Sequence, residues 1–241
     1  MNRLLIFFLI IFSLCSCSKE SGVDTSLDSG YNFFPIHDIG TTYIYEVDRI
    51  FYNNQGKETE HLVTYERNVV IESTKGGDNL GSYREEIWES NTGQEPWLYK
   101  ENMVSETNEL QAICSKSGNR IIKLAFPVSE GKSWDGLALM NDVTGQIING
   151  ESIDFYKDWD FKILGYENFE SYNDVLTVQQ ANHENAIERR YSIEKYAMDI
   201  GLVYKEQQIL DTQCLLECND QNWEEKAHHG VILKKRLISI N

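Results

Sequence analysis

Few side chains in this sequence have the chemistry of a nucleophile, a base or a metal ligand, and their spacing limits what they could do. Five histidines, His37, His61, His183, His228 and His229, lie far apart except for the last pair. No HExxH, GxSxG, P-loop or GxGxxG motif occurs. Ser192-Ile193-Glu194-Lys195 fits the S-x-x-K spacing of a serine nucleophile with a lysine base. It falls in a predicted strand, where residues three apart point to opposite faces, so the two side chains would not meet. Cys214 and Cys218, followed by His228 and His229, are residue types that ligate zinc. A disulfide and free thiols are the other readings of that pair. Asp154, Asp158 and Asp160 gather acids as calcium loops do, but no turn glycine or closing bidentate glutamate is in register. They read as a solvated strand face. The sequence therefore predicts a non-enzymatic protein with no cofactor, no resident metal and no catalytic residue. A cleft joining His183 to buried carboxylates with shifted pKa values would point to an enzyme instead.

The one residue with a definite chemical expectation is Cys17. Arg3 is followed by an unbroken apolar run over residues 4–12, then Ser13-Leu14-Cys15-Ser16-Cys17, then polar Ser18-Lys19-Glu20. Nine apolar residues are too few to span roughly 30 Å of hydrocarbon, so the run reads as a cleaved signal peptide. It resembles a bacterial lipoprotein signal, with Leu14 at −3, Ser16 at −1 and Cys17 lipidated. The resemblance implies cleavage after residue 16, and a diacylglycerol plus an N-acyl chain on Cys17. Two or more chains hold a protein stably on a membrane, where one does not. Residues 17–30 then form the lipidated cysteine and a flexible polar tether, and residues 31–241 a single β-rich domain. Ser18 is not acidic, so the segment lacks the inner-membrane retention signal of some lipoproteins. Outer-membrane anchoring is the expectation, with the domain facing either the periplasm or the surface.

Lipidation of Cys17 and loss of Cys15 leave Cys114, Cys214 and Cys218, enough for one bridge and one leftover thiol in a disulfide-permissive compartment. Their pairing stays open. The formal charge of −16 repels nucleic acid and reads as a solvated acidic surface. Trp88, Trp97, Trp134, Trp159 and Trp223 could stack on sugars, but a β domain of this size needs large side chains for its core, so three or four of them should be buried.

From residue 41 the pattern is strand after strand. Predicted strands cover 41–52, 58–72, 82–89, 97–103, 110–114, 120–126, 146–148, 154–166, 175–179, 187–196, 202–210 and 231–240. Turn signals such as Asn53-Asn54-Gln55-Gly56, Asn91-Thr92-Gly93 and Ser117-Gly118-Asn119 separate them. Residues 219–229 could be a short helix or a polar loop. Tyr43, Tyr45 and Val47 share one face; Tyr83, Glu85, Ile87 and Glu89 share another. The fold class is all-β and predominantly antiparallel, a strongly curved sheet or open barrel with long hairpins. Gly40 and Gly201 precede strands and suit turns needing positive φ.

Phe34-Pro35-Ile36 leading to Gly40 and Thr42-Tyr43-Ile44-Tyr45-Glu46, Phe126-Pro127-Val128 leading to Gly131-Lys132-Ser133-Trp134-Asp135-Gly136, and Gly201-Leu202-Val203-Tyr204-Lys205-Glu206 together resemble uncharacterised β-rich lipoproteins of Bacteroidota. The last segment is also similar to one in curved-sheet lipoproteins shaped like periplasmic lipoprotein carriers. The resemblance implies an envelope protein that binds a hydrophobic ligand or a lipoprotein on its concave face, lined by Phe, Tyr, Leu and Ile. The alternative is a surface module that binds glycan or protein through exposed Trp and Tyr. Replacing Cys17 by Ala should abolish incorporation of labelled palmitate in a host with lipoprotein-processing enzymes; unchanged labelling would refute the lipid assignment.

Overall fold

The computed structural model describes residues 29–53, 58–140, 146–148, 151–214, 218 and 220–241. The signal segment, Cys17 and the tether through residue 28 lie outside these, as do turn residues 54–56. Fourteen strands are present: β1 Thr42–Asn53, β2 Glu58–Lys75, β3 Gly81–Ser90, β4 Leu98–Thr107, β5 Gln111–Lys116, β6 Asn119–Ala125, β7 Ser133–Trp134, β8 Gln146–Ile148, β9 Glu151–Ile153, β10 Trp159–Phe169, β11 Tyr172–Glu184, β12 Glu188–Ala197, β13 Gly201–Asp211 and β14 His229–Ile240. A short helix, α1, covers Trp223–Lys226.

Twelve strands form one antiparallel sheet in the order β6-β5-β4-β3-β2-β1-β14-β13-β12-β11-β10-β7, and β8 and β9 pair as a separate hairpin. The first and last long strands, β1 and β14, are neighbours, so two meanders meet along the middle of the sheet. The sheet is all-β and antiparallel as the sequence predicts, and curls until it nearly closes into a barrel. The two edges meet at β6 and the segment after β7. Ile122 N–H donates to the Gly136 carbonyl at 2.8 Å, and Trp134 Nε1–H donates to the Ile122 carbonyl at 2.9 Å. Trp134 packs against Phe161, so this tryptophan ties the seam. Gly136 is required there: a Cβ at this position would lie 2.4 Å from the Phe161 ring.

Apolar layers sit towards the two ends of the strands. At one, Phe33 and Phe34 from the N-terminal turn pack with Leu124, Ile163, Leu176 and Tyr196. At the other, Ile148 and Ile153 of the β8–β9 hairpin pack with Ile209 and Val231. Burying each such side chain stabilises the fold by roughly 1.5–3 kcal/mol. On the outer face, α1 sets Trp223 over Tyr52, Leu210 and Ile232. Asn222 caps that helix by accepting from Glu225 N–H, while the Glu225 carboxylate accepts from Asn222 N–H.

Some expectations change. Residues 154–157 are a turn rather than strand, because Asp158 adopts φ 56° and β10 begins only at Trp159. β7 and β9, of two and three residues, carry no periodic signal and were not predicted. Only Trp223, 7% exposed, is fully buried; the other four tryptophans are half-buried. The interior takes tyrosine and charged side chains instead, as described below. Gly40 and Gly201 do have positive φ, 92° and 89°. Gly136→Ala should destabilise the fold by roughly 1–3 kcal/mol through the clash with Phe161. Urea unfolding measures this, and an unchanged midpoint would show that the seam is not tightly packed.

Candidate functional site

Alternation along the strands aims every second side chain into the barrel. From β1 these are Tyr43, Tyr45, Val47 and Arg49; from β2, Glu66 and Asn68; from β3, Tyr83 and Glu85. β5 and β6 add Cys114, Lys116, Ile121 and Lys123. β12, β13 and β14 add Glu194, Tyr196, Lys205, Gln207, Leu233 and Lys235. They do not fill the interior. A cavity of about 380 Å³ remains, in the size range of small-molecule sites. Phe155 and Tyr156 from the turn before β10, Trp159 at its start, and Ser117 and Asn119 of the β5–β6 hairpin also line it.

The lining is more highly charged than a hydrophobic-carrier reading predicts. Glu194 Oε1 accepts from Lys123 at 2.6 Å and from Lys205 at 3.0 Å, and Oε2 accepts from Tyr196 OH at 2.5 Å. Burial alone would raise the Glu194 carboxyl; the two ammonium groups outweigh it and hold it at about 2. Burial lowers Lys205 to about 8 against the opposing pull of Glu194. Glu66 is also buried, and Lys235, its hydrogen-bond donor, outweighs the burial and holds it ionised. The Lys235 ammonium lies 4.1 Å from the Tyr45 ring centre. Glu85 has no such donor, and burial raises it to about 7 despite Lys235 nearby. Burial likewise pushes up the Cys114 thiol. The acidity expected on a solvated surface is therefore partly internal: three carboxyls are buried in the lumen.

Of the histidines, cysteines and tryptophans singled out in the sequence, Cys114, Trp159 and His37, whose imidazole burial lowers to about 4, line the lumen, and the rest do not gather here. Cys114 lines the lumen as a free thiol, while Cys214 and Cys218 form a disulfide with Cα atoms 5.8 Å apart. Their sulfurs are thereby withdrawn from zinc. His228 Nδ1 lies 2.9 Å from Thr212 Oγ1, and His229 Nε2 lies 3.0 Å from the Ile148 carbonyl. Ser192 is buried and donates to Gln180 Oε1, whereas Lys195 pairs with Glu167 on the other face, as the strand period requires. His183 does meet carboxylates: its Nε2 lies 3.6 Å from both Asp158 and Glu188. Their ligating atoms fall within 4.8 Å of one another. However, Lys157 and Asn185 already donate to Glu188, and against its burial they shift it down, not up. The group also lies outside the lumen.

The sequence carried a usable signal for the lumen. Glu85 stands between Tyr83 and Ile87, Glu194 between Ser192 and Tyr196, and Lys235 between Leu233 and Leu237. A charge at every second position between core residues faces inward unless the strand is bulged. On the outer face Trp88 packs edge-on to Tyr99, and the Arg67 guanidinium lies 4.6 Å from the Trp97 ring centre. Leu98 beside them is 65% exposed.

No protein-family profile and no curated protein matches the chain. Among solved structures, a candidate lipoprotein of Parabacteroides distasonis is similar at 12% identity, over 87% of this chain and 98% of that one, with a TM-score of 0.36. A candidate exported protein with a YmcC-like fold from Bacteroides fragilis is similar at 10% identity, over 86% and 98%, with a TM-score of 0.37.

The Glu85 carboxyl has a sign that can be checked. Raised above its unfolded value of 4.5, it contributes stability below that value which is lost as pH rises through about 7. Glu85→Gln should therefore be more stable than the natural chain at pH 8, by roughly 1–3 kcal/mol, with the gap closing at pH 5. Denaturant unfolding at the two pH values decides it; a variant weaker at pH 8 would show that ionised Glu85 is paired.

Proposed function

We propose that this chain is a lipid-anchored protein of the cell envelope that binds a small amphipathic molecule inside its barrel. The anchor is the acylated Cys17 in the outer membrane, and the tether carries the barrel away from the bilayer. The observation that carries the reading is the unfilled lumen. It pairs apolar walls, among them Ile121, Leu202 and Leu233, with buried charges. A bare hydrocarbon would strip water from those ion pairs and offer the remaining lysine N–H bonds no acceptor, which is costly. A fully polar ligand would waste the apolar walls. An amphipathic ligand satisfies both. The protein acts by binding rather than by chemistry: in the lumen Glu194 is locked in ion pairs and burial pushes the Cys114 thiol up, away from the reactive thiolate.

A second reading is favoured by the outer cluster of Trp88, Trp97 and Tyr99 with Arg67: a glycan or protein docked on the outside of β2–β4. One experiment separates the two. The full chain should enhance the fluorescence of anilinonaphthalene sulfonate, and Leu233→Trp, which fills the lumen, should abolish the enhancement while circular dichroism stays unchanged. Undiminished dye binding in the folded variant would move the site out of the lumen, as the second reading requires.

A further inference from the structure

We infer that the ligand of this lumen carries an anionic head group, a carboxylate or a phosphate, seated against Lys123, Lys205 and Lys235. The inference rests on the reading of the barrel as a binding protein and adds the chemistry of what it binds. Its first support is a reversal of charge. The whole chain has 22 Lys and Arg against 38 Asp and Glu. Five cationic side chains line the lumen; Arg49 and Lys116 pair with Glu89 and Glu101, which leaves Lys123, Lys205 and Lys235 against the ion-paired carboxylates of Glu66 and Glu194 and the raised carboxyl of Glu85. An acidic protein that concentrates cations in this cavity holds a local positive field there, and walls of low dielectric strengthen it.

The second support is a surplus of donors. An ammonium group has three N–H bonds. Lys123 and Lys205 each pair with a single carboxylate, Glu194, and Lys235 with a single carboxylate, Glu66. Lys123 and Lys205 share one oxygen of Glu194, which places their nitrogens close enough to clamp one head group. Among the described residues six N–H bonds thus have no carboxylate acceptor, and part of each lysine side chain is open to the lumen. Anion oxygens accept such bonds at roughly twice the strength of a neutral acceptor. The third support is placement. Tyr45, Leu202 and Leu233 line the same space, so an apolar body can lie against them while its head reaches the lysines.

The same groups set a pH dependence. Facing the seat are Glu66 and Glu194, both held ionised by the lysines, together with Glu85, Lys116, Arg49, Cys114, His37 and the tyrosines Tyr43, Tyr45, Tyr83, Tyr156 and Tyr196. Burial raises the Cys114 thiol and the five phenols and lowers the His37 imidazole to about 4, so these stay neutral. Glu85 gains its negative charge through about pH 7, and Lys205 loses its positive charge through about pH 8. Both changes disfavour an anion as pH rises.

The test is calorimetric titration of the full chain with octanoate, octan-1-ol, octylamine and inorganic phosphate at pH 6 and pH 9. At pH 6 octanoate should bind roughly tenfold or more tighter than octanol or octylamine, and that lead should shrink to little at pH 9. The paired variant Glu194→Gln with Lys205→Met, which removes one charge of each sign, should weaken octanoate roughly tenfold and leave octanol unchanged. Octanol or octylamine binding as tightly as octanoate at pH 6 would overturn the anionic head and leave lumen binding standing. Phosphate matching octanoate would keep the anion seat but assign it a free anion, overturning the amphipathic ligand. No heat from any probe would overturn both readings.

Discussion

A sheet of twelve strands that curls edge to edge encloses more space than its inward side chains can occupy, and the rest of this structure follows from that. An eight-stranded barrel is just narrow enough for side chains to fill. Here the N-terminal turn with Phe33 and Phe34 packs towards one end of the strands and the β8–β9 hairpin with Ile148 and Ile153 towards the other, while the space between stays open. Open space inside a protein must be dry and apolar or wet and polar. This chain lines it with ion pairs, Glu194 with Lys123 and Lys205, and Glu66 with Lys235.

Those pairs are costly to bury and contribute little net stability by themselves. What they do is hold charge at fixed positions beside apolar walls. Their arrangement is uneven, because Glu85 accepts from Asn68 rather than from an ammonium group, and Lys123, Lys205 and Lys235 share only Glu194 and Glu66 as ion-pair partners. An unfilled, unevenly charged interior differs from a structural core, in which polar groups are matched pair by pair. That imbalance is the physical basis for reading the lumen as a site.

Much of the architecture was legible in the sequence. The alternation of Tyr43, Tyr45 and Val47, the turn glycines Gly40 and Gly201, and the hairpin spacing together identify an antiparallel, curved all-β chain. What escaped were elements too short to show a period, Ser133–Trp134 and Glu151–Ile153, and the left-handed turn at Asp158 that delays β10. The site escaped for a different reason. Composition places Glu and Lys on the surface by default, and barrel closure alone decides that Glu85, Glu194 and Lys235 face a cavity rather than solvent. Closure depends on contacts such as Ile122 with Gly136, remote from the charges it encloses. Of the histidines and cysteines, which draw the eye as chemistry, His37 and Cys114 line the lumen, while Cys214 and Cys218 are bridged and His228 and His229 are hydrogen-bonded elsewhere.

The nearly closed barrel holds both paired and unpaired charge in its interior. Carbon-13 NMR titration of the glutamate side-chain carboxyls tests it most directly. The account predicts that the Glu85 carboxyl titrates at about 7 and that of Glu194 at about 2. Both carboxyls titrating near the ordinary glutamate value would mean that neither is shielded from bulk water, and would contradict it.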